Sequence, residues 1–154
     1  MAAPTSEVHA TDRHAAPTRP HDLGWPAWTL FGVEVFVGIN AVIGGWRMIA
    51  DGFGMPTDWL EPTPFSTWTW PGIALLAGVA VPQFVAAAFV TTARRRRVDL
   101  GWLAGLAVGA ALVGWIVVQV AMLRRYFFLQ PVIAGLGLVE MGLALWWRHR
   151  ALTR

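Results

Sequence analysis

Four apolar runs dominate the chain, at Ala27–Ala50, Pro71–Ala93, Leu100–Leu123 and Phe127–Trp147. Each is close to the ~20 residues that an α-helix needs to cross the hydrocarbon core of a bilayer. The pattern predicts an all-α, polytopic membrane protein: a bundle of four transmembrane helices.

The polar stretches between the runs carry the boundary signals. Trp25, Pro26 and Trp28 mark the first interface, with Pro26 suited to a first helical turn. Asp51-Gly52 reads as a turn that ends the first helix. The segment Asp51–Trp70 mixes prolines and glycines with Trp59, Leu60, Phe65, Trp68 and Trp70. A connection of that length is usually functional or packed by its own side chains. It is expected to be a structured cap on the membrane surface, with a short helical turn over Met55–Leu60. Pro82 should kink the second helix near its middle. Arg94–Arg97 stop that helix, and Asp99 is a candidate N-cap for the third. Arg124-Arg125-Tyr126 links the third to the fourth, whose first turns hold Pro131. Trp146-Trp147-Arg148-His149-Arg150 closes the domain, leaving 151–154 as a short tail. Residues 1–23 carry almost no apolar pattern and are expected to be a disordered cytoplasmic leader, because they cannot bury enough surface to offset their ordering entropy.

Composition sharpens this picture. The 154 residues are 56% hydrophobic and 14% charged, with no cysteine, which removes disulfide relays and thiolate metal sites. All 12 basic residues are arginine. One side of the expected topology holds Arg13, Arg19, Arg94–Arg97, Arg148, Arg150 and Arg154. The other holds Arg47, Arg124 and Arg125 with Asp51, Asp58 and Glu61. Positive charge favours the inner face, so both termini are expected in the cytoplasm of a bacterial inner membrane. The arginines flank spans, which accounts for the net charge of +3 without a nucleic-acid partner.

Within the spans the chemistry-bearing residues are few. Glu34 and Glu140 lie at similar depth, Glu34 about seven residues inside the first run, or ~10 Å. Helical phase puts Glu34 on one face with Gly38, Ala41 and Gly45, and Glu140 on one with Ile133, Gly137 and Ala144. Both carboxylates are therefore expected to point into the bundle. An ionised carboxylate there must be protonated, paired or hydrated. The pair is a candidate proton or cation site; the alternative is two protonated acids that fix helix register. Asn40, Gln83 and Gln119 are the uncharged polar residues of the spans, and interhelical amide hydrogen bonds are their expected role. Gly101-x-x-x-Gly105-x-x-x-Gly109 is a close-packing motif, with a partner in the same bundle or in a second protomer.

Arg47, Arg124, Arg125 and Gln130 fall near the outer interface. The arginines are candidates for an anionic headgroup, or for pairing with the acidic loop; Arg47 and Asp51 are one helical turn apart. No metal ligands and no cofactor are expected. His9, His14, His21 and His149 all lie in the tails or at the very end, so no axial haem ligand is available in the spans. Ser6 and Ser66 lie outside the spans, which argues against an intramembrane hydrolase.

The residues Gly52-x-x-x-Pro56, Trp59-Leu60-x-x-Thr63-Pro64-Phe65, Trp70-Pro71-Gly72, Gly114-Trp115-Ile116-x-x-Gln119 and Leu129-Gln130-Pro131 carry a resemblance. Together they resemble a family of small bacterial four-helix integral membrane proteins with no assigned activity. The resemblance covers most of the chain after Gly38. It implies that the loop and the third helix form a shared core, and it supplies no reaction. A second likeness, to small multidrug transporters, rests on four short helices and a glutamate in the first, Glu34-Val35. The leader and the Asp51–Trp70 loop depart from that pattern.

Three functional readings follow from the residues. The first is a non-enzymatic subunit or accessory protein that acts through helix packing and its periplasmic cap, with a membrane-protein partner or a second copy of itself, in contact with the lipid bilayer. The second is a small proton-coupled transporter using Glu34 and Glu140. The third is a lipid- or quinone-binding protein using the outer arginines and the tryptophan-rich loop.

Overall fold

The structure, a computed structural model, describes residues 24–93 and 100–153. All regular secondary structure among them is helical. Helix α1 (Trp25–Asp51) is followed by two short 3-10 turns, Gly52–Gly54 and Thr57–Leu60. Then come α2 (Thr69–Leu75), α3 (Val81–Ala93), α4 (Gly101–Leu123) and α5 (Leu129–Leu152). Helices α2 and α3 are one continuous span, Thr69–Thr92, joined by a π-helical segment at Leu76–Ala80. With it there are four helices long and apolar enough to cross a membrane. The expected all-α, four-span architecture is therefore the one observed. The leader, the Arg94–Arg97 run and the Asp99 cap lie outside the described residues.

The local chemistry of the ends explains the boundaries. Gly24 precedes α1 in an extended conformation, with Pro26 in the first turn, where its missing N–H is not needed. At the far end Gly52 takes φ +66°, and its N–H reaches the carbonyls of Arg47 and Met48, closing the helix as the Asp51-Gly52 pair implied. Arg124 closes α4 in the same left-handed region (φ +50°), with its N–H on Val120 O at 2.9 Å. Helix α5 runs on to Leu152, past the expected limit at Trp147. Hydropathy marks where the membrane ends, whereas Arg148–Leu152 remain good helix formers beyond it.

Pro82 does more than bend its helix. It cannot donate to the carbonyl four residues back, and its ring would crowd that carbonyl. The chain answers with a wider turn just before it, in which Val81 N–H bonds to Leu76 O, five residues back.

The four spans surround a common axis in chain order. Helix α1 packs against the α2–α3 span and α5, and α4 packs against α3 and α5; α1 and α4 sit diagonally and meet narrowly. Two apolar layers fill the interior. One comprises Ala27, Leu30, Val90, Leu143, Ala144 and Trp147, at the end where α1 begins and α5 finishes. The other comprises Val37, Ala41, Val79, Ala80 and Leu112, nearer the loop. The loop forms the expected cap: Leu60 and Trp68 pack on Leu123, with Met48, Met55, Trp59 and Phe65 around them. The helical turn expected over Met55–Leu60 is the shorter Thr57–Leu60 turn.

Candidate functional site

Between the two apolar layers lies a polar cluster to which three spans contribute side chains. Glu34 comes from α1, Gln83 from α3 and Glu140 from α5, with at most 1% of any of them exposed. On each helix the polar residue falls between its apolar contributions to the two layers: Leu30 and Val37 around Glu34, Val79 and Val90 around Gln83, Leu136 and Leu143 around Glu140. The cluster is thus closed above and below by hydrocarbon.

Helix α4 supplies the fourth wall, with glycine instead of side chains. A methyl group on Gly105 would stand 3.2 Å from Glu34 Oε1 and 2.7 Å from Leu30 Cδ2. One turn away, a methyl on Gly109 would stand 3.1 Å from Glu140 Cβ and 2.7 Å from the carbonyl oxygen of Gly137. Gly137 in turn faces Gly109 O at the same distance, so α4 and α5 cross backbone to backbone. Gly101 meets Trp147 and the backbone of Val90. The Gly101–Gly105–Gly109 stripe is therefore occupied by helices of its own bundle. Gly45 of α1 and Gly72 of α2 form a second crossing of this kind.

The hydrogen bonding of the cluster is incomplete. Gln83 Nε2 donates to Glu140 Oε2 at 3.0 Å. Four buried oxygens have no hydrogen-bond partner: Glu34 Oε1 and Oε2, Gln83 Oε1 and Glu140 Oε1. Among the described residues no basic side chain lies in the part of any span facing the cluster: α2, α3 and α4 contain no ionisable residue, and the arginines of α1 and α5 stand near their ends, at Arg47, Arg148 and Arg150. Glu34 and Glu140 both face the interior of the bundle from neighbouring helices, α1 and α5; Trp25 and Trp146 meet edge-on across that seam at 4.7 Å.

The other polar residues separate. Asn40 is exposed on the outside of the bundle and donates from Nδ2 to Phe36 O of its own helix at 2.8 Å, in place of the expected interhelical bond. Its phase explains this, since six residues turn it ~240° from the Glu34 face, and the i−4 carbonyl satisfies it locally. Gln119 is half-buried and makes no hydrogen bond among the described residues. Of the three amides only Gln83 bridges helices.

The outer arginines serve three different tasks. Arg47 pairs with Asp51 at 3.1 Å and lies over the Phe53 ring. Arg124 caps α4, and the Arg125 guanidinium lies over Trp59, 5.3 Å from its centroid. Gln130 is buried against the α4–α5 link, accepting from Phe127 N at 2.9 Å and donating to Arg125 O at 3.3 Å. Beside the cap, a recess of about 250 Å³ is lined by Met48, Asp51, Met55, Thr57 and Trp68 among others. No cluster of metal-ligating residues occurs among the described residues.

Neither a family model, a curated protein nor a solved structure matches the chain.

Proposed function

We propose that the chain is a small proton-coupled carrier of the bacterial inner membrane, working without a catalytic step, in which Glu34 and Glu140 hold the coupling proton. One observation carries this reading: buried oxygens of Glu34, Gln83 and Glu140 lie between two apolar layers and lack partners. A carboxyl kept only to fix helix register would have its oxygens hydrogen-bonded, since an unsatisfied buried acceptor costs ~1–3 kcal/mol. Both oxygens of Glu34 are unsatisfied. The π-helical segment ends three residues before Gln83 and gives the bundle a place to bend beside the site. The glycine stripe lends no support to the subunit reading, because it is already filled from within the bundle. The headgroup reading likewise loses Arg47 to Asp51.

Arg148 and Arg150 finish α5, while Asp51, Asp58 and Glu61 lie at the opposite, capped end. With the arginine-rich 94–97 segment, this supports cytoplasmic termini and an outward-facing cap. The experiment is proton uptake into vesicles. Full-length protein in liposomes carrying an internal pH dye should admit protons faster than protein-free liposomes under an imposed gradient. The Glu34→Gln, Glu140→Gln double variant should fall to the protein-free rate. Equal rates in the wild type and a correctly folded double variant overturn the reading.

A further inference from the structure

We propose that the Glu34–Gln83–Glu140 cluster also takes a bare monovalent inorganic cation of about sodium's size, in exchange for one proton. This rests on the proton-carrier reading and names its counter-substrate.

Charge sets the stoichiometry. The groups facing the cluster are Glu34 from α1 and Glu140 from α5, with nothing ionisable on α2, α3 or α4. Two ionised carboxylates enclosed by hydrocarbon would leave an uncompensated charge of −2, which burial strongly disfavours. Two protons neutralise them, and so do one proton with one monovalent cation. The exchange is balanced: the Glu34 carboxylic acid releases H+ to solvent, and its carboxylate binds M+, with the Glu140 carboxyl unchanged.

The donor set selects the kind of cation. Gln83 Nε2 occupies Glu140 Oε2 and holds that carboxyl in place, leaving Oε1 to keep the retained proton. Glu34 Oε1, Glu34 Oε2 and Gln83 Oε1 are then the free donors, all oxygen and all buried. The Gln83 oxygen is a neutral ligand, independent of the acidic pair. With one proton retained the cluster carries a single negative charge, so a divalent ion would leave a net positive charge enclosed by hydrocarbon. Zinc prefers nitrogen and sulfur, which the cluster lacks. Hydrocarbon closes the cluster above and below and α4 closes its side, where a methyl at Gly105 would stand 3.2 Å from Glu34 Oε1, so the enclosure favours a small ion over an organic amine. What remains is a small, dehydrated monovalent ion.

Cation binding that releases a proton has a plain signature. Full-length protein in detergent and weak, alkali-free buffer is titrated with lithium, sodium, potassium, calcium or choline chloride while pH is followed. Sodium or lithium should release about one proton per chain, and choline and calcium none. In the pH range where the site is protonated, apparent sodium affinity, read independently with radioactive sodium, should fall about tenfold per unit drop in pH. Glu34→Gln should abolish both signals. Carboxylate-dependent proton uptake with no release on adding any alkali cation overturns the inference and leaves the carrier reading standing. No carboxylate-dependent proton uptake at all overturns both. Exchange surviving in a folded Glu34→Gln protein overturns the assignment of Glu34. If that variant does not fold, the wild-type ion series still decides.

Discussion

At the scale of single residues, two amides of similar sequence appearance have opposite roles. Asn40 closes a bond to its own helix and faces outward, whereas Gln83 is the donor that holds Glu140 in the interior. Asn40→Leu should change unfolding stability in mixed micelles by no more than about 0.5 kcal/mol, the usual range for exposed positions. Gln83→Leu strips a buried carboxyl of its donor and should cost about 1–3 kcal/mol in the same assay. A larger loss for Asn40→Leu than for Gln83→Leu would contradict this division. The phase of Asn40 relative to Glu34 was already legible in the sequence, so its outward position could have been read there. The bond from Gln83 to Glu140 spans 57 residues, and no spacing rule reaches that far.

At the scale of elements, glycine decides how closely the helices approach. The Gly101–Gly105–Gly109 motif is visible as a repeat of four, but its counterparts Gly137 and Trp147 are identified only once α4 and α5 are placed together. Gly137→Ala puts a methyl 2.7 Å from Gly109 O, a backbone atom that cannot turn aside. It should destabilise the bundle by roughly 1–3 kcal/mol, as overpacking does. Gly142→Ala, five residues further on, meets nothing within 4 Å. There the better helix propensity of alanine should leave stability unchanged or raise it by about 0.5–1 kcal/mol. Parallel thermal unfolding of the two variants checks the contrast. The π-helical segment belongs to the same scale. Pro82 signals a disturbed helix, but whether the ladder kinks or widens depends on how the neighbouring helices hold both halves.

At the scale of the whole molecule, the cap and the spanning core are separate apolar units. Leu60, Trp68 and Leu123 unite the Asp51–Trp70 segment with the end of α4, away from the glutamate cluster. Leu60 is 1% exposed, so Leu60→Ala should cost about 2–5 kcal/mol in the cap's packing. It should also raise protease cleavage within residues 51–70 while leaving carboxylate-dependent proton uptake unchanged. Loss of uptake together with loosening would show that the cap and the cluster are coupled. The Arg47–Asp51 pair at the rim is solvent-exposed on both sides, so Asp51→Asn should remove less than about 1 kcal/mol of ion-pair stabilisation. That part should be lost equally at high salt.

The sequence by itself determined the four spans, their approximate ends and the inward direction of both glutamates. Hydrophobic length and helical phase are properties of each segment alone, and a bilayer reads them one segment at a time. Only the tertiary structure decided that the spans pack in chain order, that Gln83 bonds to Glu140, and that the free oxygens of both glutamates are shut between two apolar layers. Those facts depend on which faces of different helices meet. That choice is made by close packing among glycines and side chains far apart in the chain, and no single segment records it.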